Sequence, residues 1–483
     1  MDSSSEPRPK RSHGLVGLAL LAVVGASGCI GAVAGTIIDT AQHALQHPVH
    51  EYVFRGAYKF DNDPDAPWRQ LEDERGRDYG NALVGVAVSG GGSRAAYFLA
   101  CVLDEMRRVQ VAGAPGEPSR SLLDEVDYLS SVSGGSLASA YYVLKRPPGA
   151  DAAELDAFFA RYRTDMRKHF EVRSMARTLF LFRWVPLVFT YYNRGRVMAS
   201  TWDASFFDDA TFADLPEPRP PHPSLIINAT SYSSGQKFLF TRLPASLFNE
   251  GSVFRELRSR RFVTDGYDPA HQPLFSEGFD TIDSDIGDFE LSRAVVASAG
   301  VPNLLGPVVI KDRTREDALV ALGDGGIYDN YGLETLVQLF TRILEERPGL
   351  RARILVVDGS GYFSVERDVI DYSVAGYADR TAMIAWLRAA DYAEALFRSL
   401  PEIRFQVLSL YHRGGGRFET ERRGVQQAVG VVFDPVVGFF DDLNESARAI
   451  GTRFKLSDAN AAIIEAQAAI AVEAVLGAPG PSD

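Results

Sequence analysis

The chain predicts an α/β fold built on a mostly parallel sheet, and three observations carry that expectation. Residues 83–88, Leu-Val-Gly-Val-Ala-Val, form a continuous apolar run of the kind found in a strand buried on both faces. Further short segments at 128–132, 224–228, 238–241, 319–322, 354–357 and 404–408 read as more strands. Helical patterns at about 95–109, 136–144, 154–167, 332–345, 381–400 and 457–475 fall between or after them. Strands that alternate with helices make a parallel sheet covered by helices.

With 483 residues, 46% of them apolar and 23% charged, the chain has ample material for a large core. Its net charge of −13 argues against nucleic acid as a partner, because phosphate binding needs clustered Lys and Arg. Two cysteines, Cys29 and Cys101, define no disulfide framework. Cys101 stands in an apolar helical run and reads as a core residue.

The N-terminus reads as a targeting segment. Arg8, Lys10 and Arg11 form a basic start, and residues 14–38 carry no charge. Ala26-Ser27-Gly28 directly precedes Cys29, a pattern that resembles a bacterial lipoprotein box, with Ala26 where such boxes usually carry Leu. Three outcomes fit these residues: lipidation at Cys29, an uncleaved spanning anchor, or a cleaved secretory signal. Each predicts an exported body, membrane-associated in the first two.

Three motifs carry candidate chemistry. Ser131-Val132-Ser133-Gly134-Gly135 lies between a strand and a helix, the setting of a nucleophile elbow, where a tight turn holds the serine oxygen clear of the backbone. The helix N-terminus behind it offers donors to developing negative charge. Gly90-Gly91-Gly92-Ser93-Arg94 follows the first strand, and successive glycines let several N–H groups turn toward one anion. The same loop also matches a dinucleotide fingerprint, but residues 109–115 lack the acidic residue that fingerprint requires. Gly323-Asp324-Gly325-Gly326 ends an apolar strand and puts a carboxylate beside whatever site lies there; taken alone it is also an ordinary Asp-Gly turn.

In this order and context, the three motifs resemble the patatin-like phospholipase family over roughly residues 82–335. The small-residue stretch from Ser292 to Pro302 and the run from Gly323 to Leu336 fit that family as well. The resemblance implies a patatin-type three-layer α/β/α sandwich. It implies that Ser133 attacks an ester carbonyl of a phospholipid or related acyl lipid and that Asp324 accepts its proton. Amides of Gly90, Gly91, Gly92 and Gly134 would stabilise the oxyanion, with Arg94 and Gly325 in support. Water would then hydrolyse the acyl-enzyme, with no metal and no organic cofactor. The chain has Ser131 and Ala95 where the family usually has glycine. The chain divides on this reading into a signal, lipoprotein or anchor segment at 1–38, a linker at 39–81, the catalytic core at 82–340 and a C-terminal α/β completion of the same unit at 341–483.

Two other functions stay open on sequence. A Ser-His-Asp α/β-hydrolase would need a late histidine; His169, His222, His271 and His412 follow Ser133, and only His412 follows a predicted strand closely. A catalytically silent lipid-binding module would keep the fold without the reaction. The expected partners are the acyl-lipid substrate and a membrane surface; the sequence does not define an oligomeric state. The aromatic stretch 179–192 reads as a buried segment or a lipid-facing wall, and 250–287 as a long insertion or lid.

Overall fold

The apolar run of the first strand becomes the axis of the molecule. A computed structural model of the chain describes residues 82–111, 119–168, 194–259, 274–301, 307–315, 318–361, 403–411 and 456–477, with isolated positions between these spans. The elements in order are β1 (Ala82–Val88), α1 (Gly92–Met106), a small hairpin of β2 (Gln110–Val111) and β3 (Arg120–Ser121), β4 (Tyr128–Val132), α2 (Gly134–Lys145), α3 (Ala152–Met166) and α4 (Arg194–Trp202). Then follow β5 (Ser224–Ser231), β6 (Lys237–Phe240), α5 (Ser246–Asn249), α6 (Ser252–Ser259), β7 (Ser276–Gly278), α7 (Leu291–Ser298), β8 (Val308–Asp312) and β9 (Ala318–Asp324). The last are α8 (Leu333–Glu346), β10 (Arg351–Asp358), β11 (Ile403–Ser409) and α9 (Asp458–Leu476).

Among the described residues the main sheet has nine strands, in the order β11-β10-β1-β4-β5-β6-β7, with β9 and β8 joined to it through β5. The five strands from β11 to β5 are mutually parallel. Alternation along β1 feeds two cores: Val84, Val86 and Val88 face one, with α1, α2, α3 and α9, while Leu83 and Ala87 face the other, with α8. This is the mostly parallel α/β/α architecture expected. Gly85 lets α8 come close, since a Cβ there would lie 2.8 Å from the Phe340 ring.

The register at β5 positions the site. β4 runs along one edge of β5 as far as Val132, which faces Asn228. β6 holds the opposite edge at Ala229 and Thr230. β9 therefore takes over the β4 edge from the other direction and ends with Asp324 facing Ala229. The C-terminal ends of β4 and β9 thus meet at consecutive residues of one strand.

One expectation is corrected. Much of 250–287 is neither insertion nor lid: α6 buries Phe254, β7 joins the sheet beside β6, and Phe279, Ile282 and Ile286 are core residues. Residues 260–271 of that stretch lie outside the described residues, as do the N-terminal segment with Cys29, the stretch 179–192, His169, His271 and His412. Cys101 is buried in α1. Helix α9 is long and apolar enough to cross a membrane by composition, but half of its most apolar window is buried within the fold. It packs against the α1 layer, and its Glu465 accepts a hydrogen bond from the Tyr97 hydroxyl.

Candidate active site

Ser133 occupies the single residue between β4 and α2, at φ +53° and ψ −122°. A non-glycine residue with positive φ is strained, and such strain is retained only where surrounding contacts impose it. Here they are specific. The Ser133 N–H donates to the Ser298 hydroxyl at 2.9 Å, and that hydroxyl donates to the Asn228 carbonyl at 2.6 Å. Ser136 in the first turn of α2 bonds the same hydroxyl at 2.9 Å. Asn228 in turn donates from its side chain to the Ser131 carbonyl at 3.0 Å and the Ser130 hydroxyl at 2.9 Å, and accepts from Thr335 at 2.7 Å. One buried polar chain therefore ties the end of β4, the start of α2, α7, β5 and α8 together behind the serine.

Small residues let backbone meet backbone around this turn. A Cβ at Gly134 would lie 2.1 Å from the Gly92 carbonyl oxygen, and one at Gly135 would lie 2.6 Å from the Ser89 carbonyl oxygen. The elbow is thus pressed directly onto the glycine loop at the end of β1.

Asp324 arrives from β9. Gly325 makes its approach possible, since a Cβ there would lie 2.3 Å from the Asn228 carbonyl oxygen. The ends of β4 and β9 set the Ser133 side chain near the Asp324 carboxyl, and the Gly326 N–H donates to its Oδ1 at 2.8 Å. Both side chains are nearly sealed, with Ser133 8% and Asp324 5% exposed. Burial raises the Asp324 carboxyl to about 7, against the opposing pull of the Gly326 amide and the Ser133 hydroxyl. The neighbouring Asp329 is occupied elsewhere. Its two oxygens accept the Tyr331 and Glu334 amides at 2.9 Å each, fixing the start of α8.

The glycine loop differs in part from expectation. Gly90 cannot serve as an oxyanion donor, because its N–H is bound to the Asn330 carbonyl at 2.9 Å. Gly92 and Gly134 each open a helix, so their N–H groups have no acceptor within the helix and are suited to an anion. Gly91, at φ +145°, turns the chain between Gly90 and Gly92. Arg94 supports the site from behind rather than at the oxyanion. It is buried beneath Gly91, donating from Nε to the Gly359 carbonyl at 2.9 Å and from a terminal nitrogen to the Ile450 carbonyl. It holds the loop to the end of β10.

His222 stands two residues before β5, and β5 begins opposite the first residue of β4. His222 therefore stands at the end of the sheet opposite Ser133 and takes no part in this site.

A strained serine at a strand–helix elbow thus stands beside a buried carboxyl and two helix-opening glycines, which makes this the candidate active site. The family model for patatin-like phospholipase matches residues 86–337, and the chain belongs to that family. No curated protein matches the chain. Among solved structures it is similar to human GIVD cytosolic phospholipase A2, at 12% identity and a TM-score of 0.43, over 91% of this chain and 62% of that one. It is also similar to the same human enzyme in complex with methyl gamma-linolenyl fluorophosphonate, at 15% identity and a TM-score of 0.40, over 91% of this chain and 62% of that one. The chain thus spans less than two thirds of the length of these structures.

The raised Asp324 pKa has a consequence for stability. An acid whose pKa is higher folded than unfolded adds stability at low pH, and that contribution is lost as pH rises from the unfolded value to about 7. Asp324→Asn keeps the Gly326 contact and removes the cost of an ionised buried group. Its Tm should exceed that of the parent by a few degrees at pH 8, and the gap should shrink toward pH 5. Calorimetry across that range checks it; a gap independent of pH would mean that Asp324 titrates normally.

Proposed function

We propose that the protein hydrolyses acyl esters of phospholipids or related lipids, with Ser133 as nucleophile and Asp324 as its base. The observation that carries this reading is the meeting of the strained Ser133 and the buried Asp324 carboxyl at the adjoining ends of β4 and β9. Ionised Asp324 takes the proton as the Ser133 oxygen adds to the ester carbonyl. The amides of Gly92 and Gly134 receive the negative charge, and Asp324 returns the proton to the departing alcohol. Water then repeats the sequence on the acyl-enzyme. Two apolar side chains support a lipid as substrate: Tyr232 and Ile327, respectively 45% and 39% exposed, flank the Asp324 turn. The Tyr232 ring lies against Gly323, where a Cβ would approach it to 2.4 Å.

The test is product analysis on diacyl phospholipids, lysophospholipids and short-chain nitrophenyl esters, each as a function of pH. Free fatty acid should be released, and kcat/KM should fall below a midpoint near the Asp324 value of about 7, where protonation removes the base. A profile that stays flat down to pH 5 would rule out Asp324 as the base. Absence of fatty acid release from every substrate would leave only a lipid-binding role.

A further inference from the structure

Lys237 opens β6 and is only 1% exposed, a setting that a lysine occupies only with a partner. Its Nζ donates to the Glu334 Oε1 at 2.9 Å, in the first turn of α8, and lies 6.0 Å from the centroid of the Tyr328 ring. Glu334 is not the only acid there. Its N–H donates to the Asp329 Oδ2 at 2.9 Å, so two carboxylates meet at the start of α8. Burial raises the Asp329 pKa and the Glu334 charge raises it further, while the Tyr331 and Glu334 amides and the Lys237 charge oppose both. Lys237 is thus a cation that the two acids share.

These acids anchor the turn that serves the base. The Tyr328 and Asp329 N–H groups donate to the Gly325 carbonyl at 3.1 and 3.0 Å, which closes residues 325–329 into a turn. The Gly326 N–H in that turn donates to the Asp324 Oδ1 at 2.8 Å. Lys237 also faces Thr230 across the sheet, and the Thr230 hydroxyl donates to the Asp324 carbonyl oxygen at 2.7 Å. Burial raises the Asp324 pKa, and the Gly326 amide and Ser133 oppose it. Tyr232, which follows β5, feels the Asp324 charge. Beside Asp324, β5 brings the uncharged Ala229 and Thr230. Helix α7 brings Arg293, paired with Glu290 at 2.6 Å, and β8 brings Lys311 and Asp312 only to the far end of β9, opposite Leu319 and Ala318.

We propose that Lys237 is a positioning residue for this site: by compensating Glu334 and Asp329 together, it keeps the 325–329 turn closed and the Gly326 amide on the Asp324 carboxyl. Without the ammonium the two acids repel across the first turn of α8, and the turn that ends in Asp329 yields. The Gly326 amide then withdraws, and a bond that favours the ionised base is lost. Lys237 acts through this turn and touches no reacting atom. The inference rests on the Ser133–Asp324 reading and adds a residue to it.

The experiment measures kcat/KM against pH on a soluble ester, with the full chain and with thermal melts confirming folding. It compares the parent, Lys237→Met, Lys237→Met combined with Glu334→Gln, and Ser133→Ala. The parental midpoint lies near the Asp324 value of about 7. In Lys237→Met it should rise by about one unit, the scale of one hydrogen bond to a carboxylate, with about a fivefold loss at neutral pH that narrows in alkali. The combined variant removes the uncompensated carboxylate and should return the midpoint close to the parental value. A parental midpoint in folded Lys237→Met would overturn the proposal whatever the overall activity, because a purely structural loss lowers activity equally at every pH. A combined variant with its midpoint no lower than that of Lys237→Met would overturn it too, since charge compensation would not be the link. Should Lys237→Met fail to fold, Lys237→Gln, which keeps a donor to Glu334 without the charge, is judged by the same midpoint. An active Ser133→Ala protein, or a parent without a midpoint near 7, would overturn the dyad itself. An inactive Ser133→Ala beside an unshifted Lys237→Met would overturn this inference alone.

Discussion

Ser133→Ala and Asp324→Asn should each abolish ester hydrolysis, with losses of about 10⁴-fold or more in kcat, and the double variant should be no worse than either. Without Ser133 no acyl-enzyme forms. Without Asp324 the serine keeps its proton, because the nearest alternatives among the described residues are not placed to take it. Asp329 is committed to the Tyr331 and Glu334 amides, and His222 lies at the other end of the sheet. The two residues act in one proton transfer, so their losses should not multiply. A fluorophosphonate probe should label the parent protein and fail on Ser133→Ala. Replacing His169, His222, His271 and His412 singly should leave most activity in place. A folded histidine variant as inactive as Ser133→Ala would turn the site into a triad. Multiplicative losses in the double variant would separate Ser133 and Asp324 into different steps.

The strand–turn–helix at Ser133 is readable in the sequence because its signals are local. A five-residue strand segment, Tyr-Leu-Ser-Ser-Val, then a serine and two glycines suffice, and β4 begins and ends where that segment does. The helix after the first strand starts three residues before its sequence predicts, since Gly92, Ser93 and Arg94 have the composition of a loop. They are helical because Gly91 completes the turn by itself and Arg94 has buried carbonyls to bind. The stretch 274–287 misleads for a related reason: its Asp, Ser and Gly residues outweigh Phe279, Ile282 and Ile286, whose burial follows no helical or strand period.

The partners that shape the serine are not legible, because they come from distant parts of the chain. Ser298 is one polar residue in a small-residue helix, and Asn228 is one amide in an apolar strand. Both stand out in the sequence as anomalies of their elements, a buried hydroxyl and a buried carboxamide that need partners. Which groups they serve depends on the register of β4, β9 and β5. The same holds for the loss of Gly90 as a donor, where a single bond between residues 90 and 330 decides the outcome.

Gly134→Ala should cost about 10²–10³-fold in kcat while KM changes little. The loss is steric in origin and then electrostatic. The added methyl would fall 2.1 Å from the Gly92 carbonyl oxygen, far inside contact distance, and the obstacle is backbone, which cannot rotate out of the way as a side chain end can. Either the elbow or the glycine loop must retreat. The elbow is held by the Ser298 and Asn228 bonds, and the loop by Arg94 and by the Gly90–Asn330 bond. Whichever yields, the Gly92 and Gly134 amides shift relative to one another and to Ser133. Alanine is otherwise a good helix residue at this first position of α2, so the substitution should not unfold α2. The exposed Tyr232 and Ile327, proposed above as the lipid-facing side chains, lie outside the disturbed turn, which should keep KM near its parent value. Steady-state kinetics on a soluble ester, with a melting curve to confirm the fold, measures the effect. Unchanged kcat in a folded Gly134→Ala protein would mean that the contact between elbow and loop does not organise the oxyanion site.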